Sequence, residues 1–183
     1  LQMQVFNTED ENLLAKLKES QSRIQSIAMV HEKLYSSETF SEIAIDKYID
    51  DLLNMIENSM TDFKKNIRVN TDMESIRLTV GQAIPCGLLL NEMITNCYKH
   101  AFEGSDEGQI HISIRENEGQ ISLKVEDNGI GLPEDFAIEQ QPSLGMTIIN
   151  TLTAQLDGKL EVDSGDFGSR FSLAFDIERD LGE

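Results

Sequence analysis

Residues 89–101, Leu-Leu-Asn-Glu-Met-Ile-Thr-Asn-Cys-Tyr-Lys-His-Ala, constrain this chain more than any other stretch. Met93, Cys97 and Ala101 recur every fourth position, and Leu90 and Ile94 widen that stripe, which predicts a helix. A second stripe is polar. Glu92, Asn96, Lys99 and His100 fall at i, i+4, i+7 and i+8, so a regular helix brings them onto one face. An amide oxygen can ligate a hard cation such as Mg²⁺. An ammonium can meet a phosphate, and a carboxylate can accept a proton or orient a nucleophile. Alone, such a face is also what a solvated helix presents.

Asp127-Asn128-Gly129-Ile130-Gly131-Leu132-Pro133 changes that balance, because it follows an expected strand. Two glycines one residue apart, just after an Asp, suit a loop whose backbone approaches a flat ligand. A carboxylate there would accept from the exocyclic amine of adenine. Together the two stretches point to a nucleotide pocket.

The net charge of −18 argues against nonspecific nucleic-acid binding, which relies on Lys and Arg. No run of about 18 apolar residues exists, so no membrane contact is expected of this chain. Cys86 and Cys97 fall on one expected helix, roughly 16 Å apart at 1.5 Å per residue, too far for a disulfide. They read as small buried hydrophobes in a reducing, cytoplasmic compartment, without zinc-ligand spacing. The full-length protein is open to being soluble or membrane-anchored.

Thr8 with Glu11 forms a capping box that opens a helical arm to about Ser36. Its apolar stripe is Leu13, Leu17, Ile24, Ile27, His31 and Leu34, and the rest is polar. So narrow a stripe needs a partner helix. Asp46 is expected to cap a second helix carrying Ile49, Leu52, Leu53, Ile56 and Met60. Short strands follow at Asn66–Asn70 and Ile76–Val80, and Pro85 then falls in the first turn of the central helix. Ile110, Ile112 and Ile114 alternate, Glu116–Gly119 turns, and Ile121, Leu123 and Val125 return to deliver Asp127. Leu132–Ser143 is long enough to be a lid. A helix runs Leu144–Leu156 with Ile148, Ile149, Leu152 and Leu156 inward and Gly158 at its end. Leu160–Val162 and Phe171–Phe175 close the chain as a hairpin. The fold class is α+β: a mixed sheet covered by helices on one face, preceded by a long helical arm.

Four motifs stand in order over roughly eighty residues. Asn91-Glu92-x-x-x-Asn96-x-x-Lys99-His100 resembles the N box of the Bergerat, or GHKL, ATP-binding fold shared by histidine kinases, gyrase, Hsp90 and MutL. Asp127-x-Gly129-x-Gly131 resembles its adenine box, Ser143-Leu144-Gly145-Met146 the end of its ATP lid, and Gly168-Ser169-Arg170-Phe171 its last glycine box. The resemblance implies a two-layer α/β sandwich that takes ATP and Mg²⁺. Asn96 would ligate Mg²⁺, Lys99 and His100 would lie near the phosphates, and Asp127 would bind the adenine amine. Gly129, Gly131, Leu144 and Gly145 would shape the pocket with Ser169 nearby. Glu92 would be the catalytic carboxylate, as a base or as an orienting group.

Ser22 to Tyr35 resembles the second dimerisation helix of HisKA_2 and HWE-like sensor histidine kinases. That implies residues 1–42 as the remainder of a dimerisation and phosphoacceptor unit and 43–183 as the catalytic domain. It also implies γ-phosphoryl transfer to a histidine upstream of this chain, a homodimer through the arm in the full-length protein, and relay to a response regulator. Two roles are open for His31, acceptor or packed core residue, and its place in the apolar stripe favours the second. Two features depart from the family: the lid's glycine box begins with Ser143 where relatives often carry Gly, and the lid carries Glu134, Asp135 and Glu139 without Lys or Arg. Two alternatives stand beside the kinase: an anti-sigma-type serine kinase, which lacks the arm, and a noncatalytic nucleotide-binding and dimerisation module.

Overall fold

The computed structural model describes residues 17, 20–29, 42–60, 66–133, 136 and 143–179. The Thr8 capping box, His31 and most of the expected lid, including Glu134, Asp135 and Glu139, lie outside the described residues.

Among the described residues, helix α1 covers 20–29 of the arm. Strand β1 (Glu42–Ala44) leads into α2 (Ile45–Ser59), then β2 (Asn66–Met73), β3 (Arg77–Thr79) and the central helix α3 (Val80–Asn96). A turn of π-helix over Cys97–Ala101 follows directly. Then come β4 (Glu107–Asn117), β5 (Gln120–Asp127), α4 (Leu144–Gln155), β6 (Lys159–Gly165) and β7 (Gly168–Asp176). The main sheet runs β2-β4-β5-β7-β6. Its β2–β4 pair is parallel and its other pairs are antiparallel, so it is mixed as expected. A separate antiparallel pair, β1–β3, ties the entry of α2 to the entry of α3.

Alternation decides which face of the sheet is inside. Val125 faces Ile112 across β4–β5 and Phe171 across β5–β7, and Phe171 faces Val162 on β6. One row further, Ile114, Leu123 and Leu173 repeat the pattern. These residues of β4, β5 and β7 are buried under the helices, while Val162 at the edge is partly buried. Fully burying one such side chain is worth about 1.5–3 kcal/mol, so the rows set the register. Asp127 belongs to the same inward series as Leu123 and Val125, and the strand therefore buries a carboxylate at its end. Glu118 and Gly119 both take positive φ, 52° and 85°, which gives the β4–β5 hairpin its two-residue turn.

α3 packs against α2, α4 and β5. It is buried on almost every side, including Asn91, Glu92 and Thr95. Gly87 permits the closest approach: a Cβ there would lie 1.7 Å from the Tyr48 hydroxyl of α2.

Several local expectations are corrected. Asp46 does not cap α2; Ala44 holds that position with no side-chain bond, and Asp46 sits in the first turn with Oδ1 buried and unpartnered. α3 starts at Val80 rather than near Pro85, so Val80 is not strand and Pro85 lies inside the helix. Pro85 removes a donor from the carbonyl of Gly81, which is exposed and can turn to water. The left-handed residue after α4 is Asp157, at φ 47°, rather than Gly158. On α4, Met146, Ile149 and Thr153 are buried, whereas Ile148 and Leu152 are only half-buried.

Candidate functional site

The end of α3 and the loop after β5 are joined at two points. The backbone amide of Ile130 donates to the Ala101 carbonyl at 2.8 Å. The Cys97 thiol donates to Asp127 Oδ2 at 3.7 Å, a weak bond from a sulfur. Burial first, then the neighbouring carboxylate, push the Cys97 thiol well above its ordinary 9.0, so it keeps its proton and remains a donor.

Asp127 is the best-held side chain of the site. Ser169 Oγ donates to its Oδ2 at 2.5 Å. Gly129 N and Ser169 N donate to Oδ1 at 2.8 and 3.3 Å. These bonds leave the carboxylate one orientation, with 7% of the residue exposed. It is an oriented acceptor at the end of an apolar sheet face, as recognition of an amine requires.

The glycines sit against protein backbone. A Cβ at Gly129 would meet the Ala101 carbonyl oxygen at 2.0 Å. One at Gly131, whose φ is 74°, would meet the Gly165 carbonyl oxygen at 2.7 Å. One at Gly168, whose φ is 106°, would meet the Asp127 carbonyl oxygen at 2.0 Å. Here the missing Cβ lets protein backbone approach protein backbone, and the Asp127 loop is wedged between the π turn and the β6–β7 turn. Ser164 Oγ adds a bond from Leu132 N at 2.6 Å.

The helix that carries Glu92 and Asn96 passes at Cys97 into a π turn, which carries Lys99 and His100. Lys99 is half-buried, and His100 is exposed, with Nδ1 3.9 Å from Glu103 Oε1. Asn96 closes α3, and its side-chain nitrogen is buried without a partner. That nitrogen can only donate, so an acceptor such as a phosphate oxygen would complete its bonding. Among the described residues, no three His, Cys, Asp or Glu group to hold a metal by themselves. Mg²⁺ suits such a site when a triphosphate brings most of the oxygens.

Glu92 stands with other partners. Arg23 of α1 grips it bidentately, Nε to Oε1 at 2.6 Å and Nη2 to Oε2 at 2.8 Å. Beside this pair Ser22 Oγ donates to Asn91 Oδ1 at 2.7 Å. Tyr48 OH donates to the Ser26 carbonyl at 3.2 Å. On its other side Glu92 touches the lid end: a Cβ at Gly145 would lie 2.9 Å from Oε2. Leu144 is exposed, and Ser143 Oγ caps α4 by accepting from Met146 N at 3.2 Å.

Sequence reasoning missed Arg23 and Ser22, and it took Cys97 for an apolar filler. The signal for the first two was a Ser-Arg pair beside Ser26 on the arm; for Cys97 it was adjacency to Asn96.

Residues 1–60 match the histidine kinase family HisKA_2. Residues 81–179 match the histidine kinase-, DNA gyrase B-, and HSP90-like ATPase family. The chain belongs to this ATPase family, in its HisKA_2, HWE-like histidine kinase branch. It is 32% identical over 182 residues to the sensor histidine kinase PdtaS of Mycobacterium tuberculosis, matching 98% of this chain and 36% of that protein. It is 28% identical over 153 residues to blue-light-activated histidine kinase 2 of Erythrobacter litoralis, matching 80% of this chain and 43% of that protein. It thus spans less than half of the length of these relatives. The histidine kinase domain of a blue-light activated kinase from Erythrobacter litoralis superposes with a TM-score of 0.78, at 24% identity, over 87% of this chain and 75% of that one. The likeness bears out the α+β sandwich with its mixed sheet. Among the described residues, no helix is long and apolar enough to cross a membrane.

Proposed function

We propose that this chain is the ATP-binding catalytic part of a sensor histidine kinase and transfers the γ-phosphoryl of Mg-ATP to a histidine on a helix preceding the arm. The observation that carries the reading is Asp127, a buried carboxylate oriented by Gly129 and Ser169 at the end of the central sheet. Asp127 accepts from the adenine amine. Asn96 offers its amide oxygen to Mg²⁺, and Lys99 and His100 lie toward the phosphates. Gly129, Gly131, Leu144, Gly145 and Ser169 shape the walls. Mg-ATP, when bound, supplies the phosphoryl group and neutralises its charge. The protein's share is positioning, as is general for phosphoryl transfer. Glu92 serves as an orienting group, because a neutral imidazole needs no base at pH 7.

The same reading takes residues 1–42 as an arm and 43–183 as the catalytic domain. The arm pairs with a second copy, which the exposure of Ile24 and Ile27 supports: they are 52% and 42% exposed while Ser22 and Ser26 face α3 and α2. The phosphorylated histidine then passes its group to a response regulator in the cytoplasm.

The test is γ-labelled Mg-ATP offered to the chain alone and with the preceding helix supplied separately. Acid-labile label appearing only with the helix is the expected result. Label on the chain alone, lost in His31→Gln, would move the acceptor into the arm. ATP binding without any label would favour a noncatalytic module.

A further inference from the structure

Glu92 is where three elements meet. It belongs to α3, its two oxygens are gripped by Arg23 of α1, and Oε2 abuts Gly145 in the first turn of α4. Arg23 and Glu92 are both largely out of water, with side chains 13% and 6% exposed. A bidentate fork in such surroundings fixes direction as well as charge. Removing Arg23 leaves the Glu92 carboxylate buried without this compensating charge. The fork is reinforced by a second bond one residue along each helix, Ser22 to Asn91, so α1 has one seating on α3.

We propose that Arg23 is a positioning residue for Glu92: it holds that carboxylate against Gly145, and through the Arg23–Glu92–Gly145 contact the seating of the arm and the end of the lid are coupled. The inference rests on the nucleotide reading above. It follows from the geometry in two ways. Arg23 compensates the negative charge of Glu92, which would otherwise act on an incoming triphosphate. And any shift of Gly145 toward Glu92 must move a carboxylate that Arg23 holds by two bonds. Coupling of this kind is reciprocal, so nucleotide must steady the arm by the factor with which the arm favours nucleotide.

The experiment uses the full 183-residue chain with Mg²⁺ and a non-hydrolysable ATP analogue. Calorimetry reads affinity, and amide exchange reads residues 20–29 with and without the analogue. In the unsubstituted chain the analogue is expected to slow exchange in 20–29 about five- to tenfold. Arg23→Gln is expected to bind the analogue about five- to tenfold more weakly and to lose the nucleotide-dependent slowing. Arg23→Lys keeps the charge without the fork and should recover part of both, which carries the test should Arg23→Gln unfold. Gly145→Ala presses on Glu92 and should speed exchange in 20–29 without nucleotide, an effect that local support of the arm by Arg23 would not transmit. Unchanged affinity in both Arg23 variants, with the slowing intact, would overturn the proposal. If the unsubstituted chain does not bind the analogue, the nucleotide reading itself fails, and the inference with it.

Discussion

Ser169 donates its hydroxyl to Asp127 at 2.5 Å across the β5–β7 pair, and no other polar contact of the site is as short. Its backbone amide reaches the other carboxylate oxygen at 3.3 Å. One residue of β7 therefore braces both oxygens of the group proposed to read adenine. Ser169→Ala should cost about 1.5–3 kcal/mol of stability, the worth of a hydrogen bond to a carboxylate. Urea unfolding checks this, and calorimetry should show weaker nucleotide binding in the same variant.

Asp127→Asn keeps the shape and turns an acceptor oxygen into a donor. Adenine-nucleotide affinity should fall by roughly 1.5–3 kcal/mol. Unchanged affinity by calorimetry would remove Asp127 from the pocket.

Gly168 and Gly104 make a paired test of the wedged loop. Both take positive φ, 106° and 77°, but a Cβ at Gly168 meets the Asp127 carbonyl oxygen at 2.0 Å while one at Gly104 meets nothing within 4 Å. Gly104→Ala should cost only its backbone strain, about 1 kcal/mol. Gly168→Ala should cost at least about 2 kcal/mol more, because backbone must move. Equal losses in thermal unfolding would contradict the packing described.

Alkaline pH should weaken the fold in a defined window. Burial pushes the Cys86 thiol from 9.0 up to about 12 and, with the nearby Glu57 and Cys97, the Tyr98 hydroxyl from 10.0 up to about 12. Cys97 is also raised. The folded state keeps these protons while the unfolded chain releases them, so stability falls as pH climbs through the unfolded values toward the folded ones. The slope should begin near pH 9 with the thiols and steepen near pH 10 with Tyr98. Cys86→Ala should flatten its first part in denaturant titrations at stepped pH.

Much of the pocket could be read from the residues because alternation and turn chemistry act locally. Ile121, Leu123 and Val125 point inward, and the same period places Asp127 inside. Other features depend on distant partners. The π turn at Cys97–Ala101, which carries Lys99 and His100, is a feature that a 3.6-residue period cannot announce. The packing of the arm's polar face is another such feature. Ser22 and Ser26 look like solvent residues until Asn91 and Tyr48 are set opposite them, while the apolar Ile24 and Ile27 face outward. The approach of the Ala101 carbonyl to Gly129 likewise depends on the π turn, which the residues around Gly129 do not encode.

The most direct measurement is a calorimetric titration of this chain with Mg-ATP and, separately, with Mg-GTP. Guanine presents a carbonyl where adenine presents its amine, so the Asp127 carboxylate should reject it. Saturable binding of Mg-ATP at least about tenfold tighter than Mg-GTP, a difference near 1.4 kcal/mol, is the expected result. Equal binding of the two, or none of either, would contradict an adenine site built on Asp127.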